Sequence, residues 1–253
     1  MKLYISPCPN DTFMFDAIIN GRIDTRGLEF DVEYYDIEEL NQRAIAAEAD
    51  FTKISCAIAQ RIAPRYNISR SGAALGRGNG PLFVRRAGEQ SPIKSVAIPG
   101  EHTTANVLLR RLFPQIEDRR AMLFCDIARA VNSGEVDGGV LIHEGRFLYA
   151  QQGLELVADL GVEWERQTAL PLPLGAIAMR ADLPIETQRQ FEEVLRQSIK
   201  YAFANPNTSR QFIKQHAQEM DDSVIEAHIA LFVNKYSLEL GDEGRRAIEE
   251  LTL

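Results

Sequence analysis

Cysteine is scarce in this chain: three of its 253 residues, Cys8, Cys56 and Cys125, far apart and odd in number. That does not describe a disulfide framework, and no Cys-x-x-Cys pair offers the ligand spacing of a zinc site. Free thiols in a reducing compartment are the expectation. Positive charge is also short. The 28 Lys+Arg against 36 Asp+Glu give a net charge of −8, which argues against nucleic acid or an anionic membrane as a partner. No run approaches the ~20 consecutive apolar residues that a membrane helix needs. Met1-Lys2 is followed by Leu-Tyr-Ile-Ser, with neither an h-region nor a cleavage site, so a cytoplasmic location is expected unless a leader was removed.

Several chemical motifs are missing as well. There is no Walker loop, no Gly-x-Ser-x-Gly elbow and no His-Glu-x-x-His, because His143-Glu144 runs into Gly145-Arg146-Phe147. The glycine run Gly76-Arg77-Gly78-Asn79-Gly80-Pro81 leads into a strand and not a helix, so it does not fit a dinucleotide fingerprint. It reads as a mobile turn, with Arg77 a secondary candidate for an anionic ligand. Neither a cofactor nor a metal is expected.

What is present is ordinary globular composition, 45% hydrophobic and 25% charged. The length allows one large domain or two of roughly 100–150 residues. Apolar runs rich in β-formers at residues 2–6, 28–35, 82–85, 95–98, 122–124, 139–142 and 175–179 predict strands. Helical patterns such as 37–49 and 103–113 alternate with them, the second stopped by Pro114. This alternation defines an α/β class. From residue 184 onward only helices are predicted: 184–204, with Phe191, Val194, Leu195, Ile199 and Ala202 as its apolar stripe, then 209–216, 222–236 and 241–251. Such a tail suits a chain that returns to pack on its first domain. Crossings are expected near 87–93 and 170–174, giving two hinged lobes: residues 1–91 with 175–253, and residues 92–174.

Two strand-to-helix junctions stand out. In Ser6-Pro7-Cys8-Pro9-Asn10-Asp11-Thr12-Phe13 the prolines hold the backbone extended, and Asn10 or Asp11 is placed to cap the following helix, whose N–H groups face the ligand side of an α/β sheet. A stiff capped turn with no further role is an equal reading. In Ala97-Ile98-Pro99-Gly100-Glu101-His102-Thr103-Thr104, the threonine hydroxyls and helix N–H groups suit an anion, although plain capping explains them too. Of four histidines, His216 and His228 lie in the helical tail and are expected at the surface or in packing. His143 follows the apolar strand Gly138-Gly139-Val140-Leu141-Ile142 with Glu144 beside it, where a general base is useful and a capping role equally accounts for it.

Together these segments resemble a known family. Ser6–Phe13, Phe-Thr-Lys-Ile-Ser (51–55), Ala-Leu-Gly-Arg-Gly-Asn-Gly-Pro-Leu (74–82), Val-Ala-Ile-Pro-Gly-Glu-His-Thr-Thr-Ala (96–105), Leu-Ile-His-Glu-Gly-Arg-Phe (141–147) and Leu-Pro-Leu-Pro-Leu-Gly-Ala-Ile (170–177) are similar, in order, to the 1,4-dihydroxy-6-naphthoate synthase family of the futalosine route to menaquinone. The resemblance implies a two-lobed periplasmic-binding-protein-like (type II) fold with a ligand cleft between the lobes. It implies a lyase that cleaves cyclic dehypoxanthine futalosine to 1,4-dihydroxy-6-naphthoate and dihydroxyacetone without a cofactor. It places the catalytic base on His143 and lines the pocket with Asn10, Asp11, Thr12, Ser55, Thr103 and Thr104. Asp11 and Ser55 are expected to meet sugar-derived hydroxyls, and the helix start at Thr103–Thr104 the carboxylate of a small-molecule substrate. The alternatives are chorismate dehydratase of the same pathway, which lacks the Pro-Cys-Pro-Asn-Asp-Thr signature, and a solute-binding protein, which needs export.

Overall fold

The computed structural model describes residues 1–143, 145–217 and 221–253. The chain opens with β1 (Lys2–Ile5), α1 (Pro9–Ile19), β2 (Asp31–Tyr34), α2 (Ile37–Ile45), β3 (Phe51–Ser55), α3 (Ala59–Ile62), β4 (Tyr66–Ile68) and β5 (Ala74–Gly76). Next come β6 (Leu82–Arg86), β7 (Ser95–Ile98), α4 (Thr104–Leu112), β8 (Asp118–Ala121), α5 (Ile127–Ser133), β9 (Gly138–Leu141), α6 (Gly145–Leu148), β10 (Leu154–Asp159) and α7 (Leu160–Thr168). Then β11 (Leu172–Arg180) leads into α8 (Ile185–Ala204), α9 (Arg210–His216), α10 (Asp222–Phe232), α11 (Lys235–Leu238) and α12 (Gly241–Thr252). Two compact units result: Met1–Leu75 with Pro173–Leu253, and Gly76–Leu172.

In unit 1 the strand order is β2-β1-β3-β11-β4, with β5 also pairing β11. β1 runs parallel to β2 and β3, while β11 lies antiparallel to β3 with Gly175 opposite Ser55 and Ile177 opposite Lys53. Alternation along β1 and β3 sends Leu3, Ile5 and Phe51 into one core with Phe13, Met14 and Ile18 of α1. The predicted stripe of α8 fills the same core, and Phe191 stacks on Phe51 with centroids 3.8 Å apart. The helical tail therefore packs where its amphipathic pattern required. Buried Asp16 fastens it further, accepting from Asn20 Nδ2 at 2.6 Å, Arg22 Nε at 2.8 Å and Ser209 Oγ at 3.0 Å.

In unit 2 the order is β10-β6-β9-β7-β8. β6 is antiparallel to both of its neighbours, and β7 is parallel to both of its own. The first division of the chain falls at Leu75/Gly76, ahead of the expected 91/92, because β6 is hydrogen-bonded on both edges by strands of this unit. The second falls at Leu172/Pro173, against the expected 174/175. The strand expected at 122–124 is displaced to β8, whose sequence is Asp-Arg-Arg-Ala. An edge strand turns side chains to solvent, so its composition carries little apolar signal; Leu123 is instead 57% exposed.

The glycine run at 76–81, expected as a mobile turn, is hydrogen-bonded and packed within unit 2. Arg77 Nη1 and the Gly78 N–H both bind the Glu165 carboxylate, at 2.6 and 2.8 Å, and the Gly80 carbonyl accepts from Arg146 at 2.6 Å. Gly80 also packs on Gly161 with no room between the backbones: a Cβ on Gly161 would lie 2.2 Å from the Asn79 carbonyl oxygen. Gly161→Ala is accordingly expected to destabilise the protein by roughly 1–3 kcal/mol, the usual cost of overpacking a tight site. A denaturant melt measures this, and Gly78→Ala, where a Cβ meets nothing within 4 Å but φ is +66°, gives the comparison for backbone strain alone.

Candidate active site

The Ser-Pro-Cys-Pro turn starts α1 earlier than a capping Asn10 or Asp11 would require. Pro9 takes the first helical position, where its missing N–H costs nothing, and Cys8 is the N-cap, its side chain making no capping bond to the helix. Asn10, Asp11 and Thr12 therefore lie inside the first turn, all buried. The Thr12 hydroxyl bonds back to the Cys8 carbonyl at 3.0 Å. Asp11 is fully buried, and both of its oxygens are occupied. Oδ2 accepts from Ser6 Oγ at 2.7 Å and Ser6 N at 3.3 Å; Oδ1 accepts from Asn10 Nδ2 at 2.8 Å and Lys53 Nζ at 2.7 Å. Four donors fill the lone pairs of a carboxylate, so this geometry leaves Asp11 no acceptor capacity for the substrate hydroxyls expected to meet it.

The network extends to a histidine expected only at the surface or in packing. His228 of α10 is buried, and its Nε2 lies 3.1 Å from Asn10 Oδ1. Asn10 gives its amide hydrogen to Asp11, so its oxygen faces the imidazole. That assignment makes Nε2 the protonated nitrogen. Ser55, at the end of β3, is held by Asn41 of α2: Asn41 Nδ2 donates to Ser55 Oγ at 2.9 Å, and Ser55 N donates to Asn41 Oδ1 at 2.8 Å. Lys53, Asn41 and His228 were not legible as site residues. A lysine in an otherwise buried strand was the available signal for the first; nothing local marked the other two.

In unit 2, Thr103 caps α4. Its Oγ1 accepts from Asn106 N at 3.3 Å and donates to the Gly100 carbonyl at 2.8 Å, so its side chain is spent on the turn. What this helix start offers a ligand is its dipole, backbone N–H groups and the buried Thr104. His143 follows β9 and adopts φ = +53°, the left-handed region, which is uncommon for a residue with a Cβ and concentrates at functional sites. Its half-buried ring meets Phe124 edge to face, centroids 4.9 Å apart. Glu144, expected beside it, lies outside the described residues. Arg146, in the short helix that follows, bonds both the Gly80 carbonyl at 2.6 Å and Asp159 at 3.1 Å. Arg77 and Arg146 are thus each committed to a carboxylate within the unit.

Other groups contribute little chemistry. Burial pushes the Cys56 thiol up to about 12, so it is no nucleophile at neutral pH. Cys8 is buried and Cys125 exposed, all three thiols being free. Among the described residues no set of three or more His, Cys, Asp or Glu is grouped to hold a metal, and no helix is long and apolar enough to cross a membrane.

The fold is that of the periplasmic-binding-protein class. A Candida albicans protein described as having that generic fold aligns with a TM-score of 0.70 at 12% identity, over 99% of this chain and 89% of its own. A structure from Archaeoglobus fulgidus is much nearer, with a TM-score of 0.92 at 36% identity over 99% and 94% of the two chains. Within that class the family is specific. A family model described as menaquinone biosynthesis matches residues 1–252. Proteins named 1,4-dihydroxy-6-naphthoate synthase from Thermus thermophilus and Streptomyces coelicolor are 43% and 38% identical over 99% of this chain, and over 92% and 91% of their own. The chain belongs to this family of menaquinone-biosynthesis enzymes.

The Arg146 bonds suggest a test of how the His143 turn is held. Arg146→Gln removes the cation from Asp159 and one bond to the Gly80 turn. It is expected to lower turnover about tenfold through misplacement of the neighbouring His143, while the far-ultraviolet circular dichroism stays unchanged. Unaltered steady-state kinetics in a folded Arg146→Gln protein would separate the two features.

Proposed function

We propose that this chain is a carbon–carbon lyase that converts cyclic dehypoxanthine futalosine to 1,4-dihydroxy-6-naphthoate and dihydroxyacetone, with His143 as general base. The observation that carries the reading is full-length membership in the synthase family, together with a histidine held in a left-handed turn at a strand end. The turn lifts the imidazole off the end of β9 and sets it against Phe124, whose apolar ring keeps water from one side. A base there removes a substrate proton, the C–C bond breaks, and aromatisation of the ring supplies the driving force. No redox partner enters this balance. The reaction belongs to the cytoplasm, where a soluble biosynthetic intermediate is made and consumed.

The carboxylate of the substrate is assigned to the start of α4. The Arg77 and Arg146 guanidiniums are already paired, whereas this helix start offers a local positive field even in a chain of net charge −8. Ser55 Oγ accepts from Asn41, which leaves its own hydrogen to donate to a substrate oxygen. Likeness to solute-binding proteins below 25% identity reflects the shared scaffold and does not favour a transport role.

Two experiments test this reading. The purified protein should form naphthoate from the futalosine derivative, followed by absorbance, and His143→Ala should reduce turnover by roughly 10²–10⁴-fold, the usual worth of a positioned base, with little change in melting temperature. Near-wild-type turnover would remove His143 from the mechanism. Thr104→Val should weaken calorimetric binding of a carboxylate-bearing product analogue by roughly 1–3 kcal/mol and leave an analogue without the carboxylate nearly unaffected. Equal losses for both analogues would move the anionic end elsewhere.

A further inference from the structure

Two of the four histidines lie in unit 2: His143 after β9, and His102 in the turn between β7 and α4. The strand order brings them to one edge. β7 lies between β9 and β8 and runs parallel to both, with Ala97 level with Gly139 and Ile98 with Ala121. The segments that leave these three strands therefore emerge at the same end of the sheet. Met122 stays beside β7 for one more residue, its N–H donating to the Ile98 carbonyl at 3.0 Å.

The aromatic contact of His143 narrows its position further. β8 and β9 flank β7, so they stand about 10 Å apart, twice the strand spacing. Phe124 follows the one and His143 the other, yet their ring centroids are 4.9 Å apart. The two rings consequently reach across the end of β7. The turn that carries His102 starts from that same end. Its backbone is fastened: Thr103 Oγ1 donates to the Gly100 carbonyl at 2.8 Å, and Asn106 Nδ2 donates to the Glu101 carbonyl at 2.9 Å. Both carbonyls that precede His102 are thus held, while His102 itself is half-buried. A fixed turn presents one imidazole at the strand end over which the other is laid.

We propose that His102 is a second catalytic residue of this enzyme, the general acid that gives a proton to the departing three-carbon fragment. The inference rests on the lyase reading above. Proton balance supplies the need for it. His143 takes a proton on the ring side of the breaking carbon–carbon bond. The electron pair of that bond moves to the three-carbon fragment, which leaves as an enediolate, since the carbon released lies next to the ketone of dihydroxyacetone. That carbon must then gain one proton, so one is removed and one returned, at opposite ends of the same bond. An imidazole changes protonation near neutrality, so His102 can give the proton and regain it from solvent, while His143 releases its own. No oxidant, reductant or further group enters the balance.

The test runs the reaction in deuterium oxide with wild-type protein, His102→Gln and His102→Asn, the second substitution keeping a folded comparison available. Melting temperature and circular dichroism establish folding. Substrate with isotopic carbon at the position released from the ring marks the carbon to be read, and its configuration is measured by NMR on a chiral derivative of dihydroxyacetone. Wild-type protein should place deuterium there in a single configuration, because a fixed acid reaches one face of the enediolate. In a folded His102 variant, kcat should fall by about 10²-fold with KM changed by less than about threefold. The label should then appear in both configurations, solvent protonating either face. A purely structural role for His102 slows turnover without scrambling the label. Variant kcat within about threefold of wild type, a rise in KM alone, a scrambled label in the wild type, or a single configuration in the variant would overturn the proposal, the last by assigning both proton transfers to His143. Wild-type protein that forms no naphthoate at all would instead overturn the lyase reading, and this proposal with it.

Discussion

The arrangement in unit 1 depends on one buried carboxylate. Asp11 lies in the first turn of α1, where the helix dipole favours an anion, and it gathers donors from three directions: the strand-end Ser6, its neighbour Asn10 and Lys53 from β3, which adjoins β1 in the sheet order β2-β1-β3. Without that anion, burial of Lys53 would be prohibitive and Asn10 would lose the partner that orients it toward His228. The proline pair matters for the same reason. Pro9 begins the helix at the position that points the next two side chains inward, so that Asn10 and Asp11 become interior polar residues instead of exposed caps.

Unit 2 solves a different problem, that of holding a strained residue still. His143 pays for its left-handed backbone with contacts nearby: Phe124 on its ring, and Arg146 three residues on, tied to Asp159 and to the Gly80 carbonyl. Asp159 in turn caps α7 through the Gly161 and Val162 N–H groups, and Glu165 of the same helix binds the Gly76–Pro81 turn. Of the glycines in that turn, Gly80 serves close approach of two backbones and Gly78 supplies a positive φ.

The scaffold is shared with proteins that only bind solutes, so activity cannot be read from it. This chain carries a set of polar side chains at or next to strand ends, several of them buried. These polar groups differ in the hydrogen-bond capacity they have left. Thr103 caps, Thr12 bonds back to its own turn and Asp11 is saturated, whereas Lys53 and Ser55 retain hydrogens to give.

The sequence by itself determined the α/β class, the helical tail and the family. The first two follow from periodicity, as in the stripe from Phe191 to Ala202 that fills the core of unit 1, and from strand runs such as residues 95–98 that match β7. The family follows from ordered motifs. Its reach ended where the signal is not local. β8 is a charged edge strand, so apolar runs misplaced it, and β6 joined unit 2 because of hydrogen-bonded neighbours far along the chain. Only the tertiary structure decided that Asp11 is spent, that Arg77 and Arg146 are paired, and that Lys53 and His228 belong to one buried network. Each of those facts depends on residues tens to hundreds of positions apart. Hydrogen-bond capacity is settled by which partners arrive, and residue type alone fixes only how many there can be.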